Sequence, residues 1–294
     1  LMPLDKLLEI IRTKKIKGVL LVDYFGFLIE ENIKIADKLS EEEVLVFIDR
    51  CHSAIPLNRN KFFWNTADAI ILSIRKTILV PDGGALILNS KKNFVNSTLK
   101  SIWYKDLLFL LFCLLGWIIY IVGWPNIYGY KVAKIRSLIN RNNNSMSSLK
   151  FPNDSSNAVL RNINPSNILF NQLCNAKRIS EVAKLRRDNY NKLSKIFISK
   201  GFSTLFDSLD VDIVPQVLPI IVHQSGMVDF LRNHGVGAYN WPGEELPEEV
   251  LSLSKIYTNS INFNKKVVCL PIHQSINTKD IDRIEFILSQ WKKV

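Results

Sequence analysis

Between Val44 and Leu88 three short apolar runs alternate with polar or Gly/Pro breaks. VLVFI (Val44–Ile48) ends at Asp49, AIILSI (Ala69–Ile74) leads into Arg75 and Lys76, and TILVPDGGALIL follows, with Gly83 and Gly84 opening its last run. Runs of this length bounded by turn residues predict buried strands. Asp49 and Lys76 each stand where a strand runs out, which in an open α/β sheet is where ligands bind. Upstream, LDKLLEIIRTKKIKG sets Leu4, Leu7, Leu8 and Ile11 on one helical face and passes into an apolar strand over Gly18–Val22. Glu30–Glu43 carries Ile33, Ala36 and Leu39 as a stripe and reads as a helix between two strands. A parallel strand–helix–strand crossover is expected from that order.

The second half has a different rhythm. Ile179–Lys200 predicts a basic helix and Val214–Val222, with Pro215 and Pro219, a strand. Asp229–His234 predicts a short helix closed by Gly235, and Val236–Trp241 a strand ended by Pro242 and Gly243. Val267–Leu270 is the next strand, and Thr278–Gln290 the closing helix with Thr278 at its N-cap. Together these make a small α/β sandwich. Between the halves, Asn140–Asn157 is a polar, low-complexity loop.

Leu107–Trp124 breaks both patterns: eighteen uncharged, mostly apolar residues, at the lower edge for a membrane-spanning helix. Lys105 and Lys131 flank it, and Trp103, Trp117 and Trp124 suit a membrane interface. Gly116, Gly123 and Pro125 interrupt it. Three readings stay open: a buried helix, a monotopic or re-entrant membrane-contacting hairpin, and a span. A single span would put two halves of one domain on opposite sides of a membrane.

The chain has 294 residues and 47% hydrophobic content, ample for a core in one large domain or two. Its formal charge is +11 and its pI about 9.4, but the lysines and arginines are scattered. Without zinc-ligand spacing or an aromatic-basic module, nucleic acid is not an expected partner. Cys51, Cys113, Cys174 and Cys269 are isolated, which fits a reducing cytosol better than a disulfide framework. His223, His234 and His273 are not clustered in sequence, and no metal site is expected from them.

In this frame the residues resemble a known family. Asp49 and His52 have the Asp-x-x-His/Gln spacing, and Lys76 lies seven before Gly83. GVLLVDYFGF (Gly18–Phe27), LRRDNYNKL (Leu185–Leu193) and CLPIHQSIN (Cys269–Asn277) follow in the same order as in the DegT/DnrJ/EryC1/StrS group of fold-type I pyridoxal-phosphate aminotransferases. The resemblance implies an α/β fold with a mainly parallel sheet in a cofactor domain, 1–178, holding the apolar insert 102–125 and the polar loop 140–157. A linking helix and a small C-terminal α/β domain, 179–294, would follow. It also implies a front segment with a phosphate-binding turn and a ring-stacking aromatic, neither of which is found here, so a chain lacking that front is expected.

The resemblance assigns roles residue by residue. Lys76 becomes the Schiff-base lysine and proton shuttle; a lysine amine forms such an adduct once its pKa falls. Asp49 becomes the partner of the pyridine nitrogen, which keeps the ring an electron sink. His52 lies near the ring or orients Asp49. Ser73, three before Lys76, is the candidate phosphate donor, although the family more often has that serine five before the lysine, where Ile71 stands. Asp23 holds a position usually polar in the family, and Tyr24 faces either the site or the core. The implied activity is transamination from an amino donor to a keto-sugar nucleotide by a cytoplasmic homodimer, with membrane-surface contact through 107–124. The alternative is a non-catalytic or defective relative serving as a membrane-associated scaffold.

Overall fold

A computed structural model describes residues 4–55, 57, 67–80, 82–89, 166–243 and 246–291, together with 104, 106, 107, 109–111, 113 and 114. The polar loop 140–157 and the apolar stretch beyond residue 114 lie outside the described residues.

The first half builds one sheet. Helix α1 (Leu4–Lys14) precedes β1 (Gly18–Val22), α2 (Glu30–Glu41), β2 (Leu45–Asp49), β3 (Ala69–Ser73) and β4 (Gly84–Leu88). The strands lie in the order β1-β2-β3-β4. β1, β2 and β3 run parallel and β4 runs antiparallel to β3. Leu4, Leu7 and Leu8 pack with buried Ile11 against this core. The buried stripe of α2 is Asn32, Ile35, Ala36 and Leu39; it keeps the expected Ala36 and Leu39, while Ile33 is only half-buried and Asn32 turns inward to Val22 O and Asp23 Oδ1.

The second run ends in a turn and the third is β4. Ile74–Lys76 forms a single 3-10 turn, and β4 begins at Gly84, where the sequence opens its third run. Ile74 N–H bonds Gly83 O at 3.1 Å, and Ser73 pairs with Gly84, so the chain folds back on β3. Gly83 permits this: its φ is +126°, and an added Cβ would stand 2.8 Å from Leu169 Cδ1. Lys76 is therefore one turn past the strand end.

The second half begins with α3 (Asn167–Leu173) and the long α4 (Ala176–Ser199). Then come β5 (Ser203–Thr204), β6 (Val217–Ile221), α5 (Met227–Asn233), β7 (Tyr239–Asn240), α6 (Glu248–Ser252), α7 (Thr258–Lys266), β8 (Val267–Pro271) and α8 (Thr278–Ser289). The antiparallel sheet has the order β5-β6-β8-β7. Helix α4 joins the two cores, giving Val182 and Ala183 to the first and Tyr190, Leu193 and Phe197 to the second.

Three expected boundaries shift for local reasons. β6 starts at Val217 because Pro215 has no N–H and Gln216 N–H bonds Phe25 O. β7 shrinks to two residues because Val236 and Ala238 spend their N–H groups on Leu231 O and Val236 O. The closing helix is capped by Asn277, in a reciprocal capping box with Asp280, instead of by Thr278.

Candidate active site

Alternation along a strand sends successive side chains to opposite faces, and the pairing register fixes which residues share a face. Val46, Ile48, Ile70 and Leu72 form a buried face. Asp49 and Ser73 belong to the other face, with Leu20, Leu45, Phe47, Ile71, Leu86 and Leu88. That second face is open: Leu20 is 56% exposed and Leu86 58%.

Asp49 is half-buried at the last position of β2, and its Oδ1 accepts from Cys51 N–H at 2.8 Å. Lys76 is exposed on the turn after β3. The charges of Asp49 and Lys76, distant in sequence, both act on Cys51 and on His52. Burial, then hydrogen bonding to Asp49, pushes the Cys51 thiol up to about 11, so it stays protonated and donates to the carboxylate.

His52 is buried at 9% exposure. Its Nδ1 accepts from Phe25 N–H at 3.1 Å, which leaves the ring proton on Nε2. Burial first and the Lys76 charge second lower its pKa to about 4, against the opposing pull of Asp49. His52 is thus a neutral imidazole with a donating Nε2–H near neutral pH.

The turn that fixes this tautomer is itself forced. Phe25 has φ 61° and Gly26 φ 96°, two successive left-handed residues. A bulky residue in that region is held only by its surroundings. Phe25 is buried, its ring 5.0 Å from Trp241 and 6.2 Å from Phe206. A Cβ on Gly26 would come within 2.5 Å of Val214 O. The YFG turn is therefore pressed onto the second half of the chain. Trp241 also meets His52 edge-on at 5.2 Å and Tyr24 at 5.5 Å. Tyr24 is partly exposed on this rim, not in the core.

Asp23 turns inward. Arg50 Nε donates to Asp23 Oδ2 at 2.8 Å, and both side chains are fully buried. Asp23 Oδ1 accepts from Asn32 Nδ2 at 3.0 Å and Ile29 N–H at 3.1 Å. Burial lowers the Arg50 pKa while Asp23 opposes the shift. This clamp ties the ends of β1 and β2 together directly behind Asp49. Arg50 reads in the sequence as one more strand-end cation, and Trp241 stands far along the chain from its aromatic neighbours Tyr24, Phe25 and His52. Ser73 shares Asp49's face at the end of β3, and its hydroxyl makes no cap bond to the following turn.

Pyridoxal phosphate has two ends that these residues suit: a ring nitrogen for a carboxylate and an aldehyde for an amine. The half-buried Asp49, the reachable Lys76 amine and the Nε2–H of His52 fit the ring part of that group.

A mainly parallel sheet joined by a long helix to an antiparallel sheet is the architecture of fold-type I pyridoxal-phosphate aminotransferases. No family model and no curated protein matches the sequence. Among solved structures, a putative sugar aminotransferase from Streptococcus pneumoniae in its PMP form gives a TM-score of 0.60 at 13% identity, covering 98% of this chain and 70% of that one. Helicobacter pylori PseC, an aminotransferase involved in the biosynthesis of pseudoaminic acid, gives 0.58 at 15% identity, with 93% of this chain and 66% of that one covered. A DegT/DnrJ/EryC1/StrS aminotransferase from Brucella abortus gives 0.55 at 13%, covering 98% and 69%. At these identities the likeness is one of fold, and the chain spans 66–70% of these neighbours' lengths.

Proposed function

We propose that the chain is a pyridoxal-phosphate-dependent aminotransferase acting on a keto-sugar nucleotide or related carbonyl substrate, in surface-polysaccharide or secondary-metabolite biosynthesis. The observation that supports this reading is that Asp49 at the end of β2 and Lys76 in the turn after neighbouring β3 both act electrostatically on a neutral His52. When bound, pyridoxal phosphate supplies a sink for the electron pair released at the substrate carbon. Asp49 would hold the proton on the ring nitrogen. Lys76 would hold the aldehyde carbon until an incoming substrate amine displaces it, and its freed amine would carry the proton between the substrate carbon and cofactor C4′. His52 would lie near the ring or orient Asp49, and Ser73 would offer a hydroxyl to the phosphate. We read residues 1–178 as the cofactor domain and 179–294 as the linking helix and small domain of a cytoplasmic homodimer at a membrane surface.

A second reading, a non-catalytic relative serving as a membrane-associated scaffold, is favoured by the openness of the Asp49 face. Asp49→Ala separates the two. A strand-end carboxylate contributes little packing, so the variant keeps its fold. Loss of the ring-nitrogen partner is expected to slow the amino-donor-driven change in cofactor absorbance by roughly a hundredfold or more. Equal rates in both proteins rule out the role of Asp49. An absence of donor-driven change in the wild type favours the scaffold.

A further inference from the structure

Residues 104, 106, 107, 109–111, 113 and 114 are helical, and their two faces differ. Asp106, Phe109 and Cys113, at helical spacing, are half-buried. Tyr104, Leu107, Leu110, Leu111 and Leu114 point outward with 50%, 48%, 56%, 48% and 50% exposure. The described charge on this helix is held away from that face. Asp106 accepts from Asn167 N–H at 3.3 Å and Ile168 N–H at 3.1 Å, satisfying the first free donors of α3. The same two bonds anchor the helix to the body of the protein, since Leu169 on α3 is buried in the first core.

A surface helix ordinarily turns its polar side to water. Here every described outward residue is apolar except for the Tyr104 hydroxyl, four of the five are leucine, and none is charged. We propose that this leucine face is a docking surface for an anionic lipid bilayer, lying on it and not crossing it. Among the described residues no helix is long and apolar enough to cross a membrane. The sequence favours lipid over a protein partner. The run stays uncharged through Trp124, with Trp103, Trp117 and Trp124 in and beside it and Lys105 and Lys131 flanking it. That is the composition of an interfacial element. The chain's +11 charge complements acidic headgroups. The proposal does not rest on the aminotransferase reading.

The test is co-sedimentation of the full chain with vesicles of phosphatidylcholine alone or mixed with phosphatidylglycerol. The wild type is expected to sediment with the anionic vesicles and more weakly with the neutral ones. Leu110→Ser, Leu111→Ser and Leu114→Ser combined is expected to weaken binding roughly tenfold or more, with circular dichroism and thermal midpoint unchanged. A single Leu110→Asp gives the same readout with less disturbance of the fold. Val211→Ser, at a site 78% exposed elsewhere, is expected to bind like wild type. The proposal is overturned if the wild type stays in the supernatant with anionic vesicles, or if the leucine variants sediment undiminished. It is equally overturned if light scattering shows a dimer that the triple variant dissolves while neither protein sediments, which makes the face a contact between copies.

Discussion

The two sheets of this protein are closed in different ways. The antiparallel sheet around β6 and β8 is sealed by its own chain: Leu218, Ile220, Cys269 and Leu270 are almost wholly buried, with α4, α5 and α8 contributing to the same core. Among the described residues, the mainly parallel sheet is fully covered on one side and only partly on the other. Its inner face holds Val46 and Ile48 at 0% exposure, while Leu20, Leu45 and Leu86 on the other face are 56%, 38% and 58% exposed. Parallel sheets are normally covered on both faces. The open face is also the one that carries Asp49 and Ser73. Among the described residues, burial is thus concentrated behind the candidate site and around the antiparallel sheet.

The contrast can be broken first at the clamp behind Asp49. Asp23→Ala leaves the Arg50 guanidinium buried without its carboxylate and is expected to cost about 3–5 kcal/mol, read as a shift in urea midpoint. A loss under about 1 kcal/mol means that water reaches Arg50 and the clamp is not what holds β1 to β2. In the sealed small domain, Leu218→Ala is expected to cost about 2–5 kcal/mol. A near-neutral result there contradicts the closed core.

A pH titration probes the rim between the two regions. His52 has its folded pKa depressed to about 4, below the ordinary value near 6.5. The unfolded chain therefore binds a proton first as pH falls. The stability linked to His52 is complete above about pH 6.5 and is lost progressively toward pH 4, at most about 3 kcal/mol. His52→Gln, which keeps an acceptor for Phe25 N–H, is expected to flatten that part of the profile; an unchanged slope assigns it to other groups. The smallest effect is expected on the open face, where Leu86→Ser should alter stability by no more than about 0.5 kcal/mol. A cost like that of Leu218→Ala indicates that the face is covered in solution.

Much of this was legible in the chain. The apolar runs ending at Asp49 and at Ile74 located the ends of β2 and β3, the second to within one residue, and the stripe Leu4, Leu7, Leu8 and Ile11 located α1. Residues of opposite charge at successive strand ends are local features, and local pattern records them. What escaped was set by partners distant in sequence. Arg50 looks like its neighbour-charges until Asp23 is brought across from β1. Trp241 looks like the end of a strand until the YFG turn is pressed against it. Gly83 and Gly84 marked the opening of β4, but not that Ile74 N–H is committed to Gly83 O across the turn. The leucine face at 104–114 was visible as composition, but its orientation depended on Asp106 finding the backbone of α3.

The central claim is that Lys76 is the amine that holds the cofactor. The full chain is incubated with excess pyridoxal phosphate, so that weak binding is still trapped, then reduced with borohydride, digested and mapped by mass spectrometry. The account predicts one dominant phosphopyridoxyl adduct, on Lys76, absent in Lys76→Ala and not transferred there to another lysine. A dominant adduct on any other lysine, or equal scatter over the exposed lysines in both proteins, contradicts it.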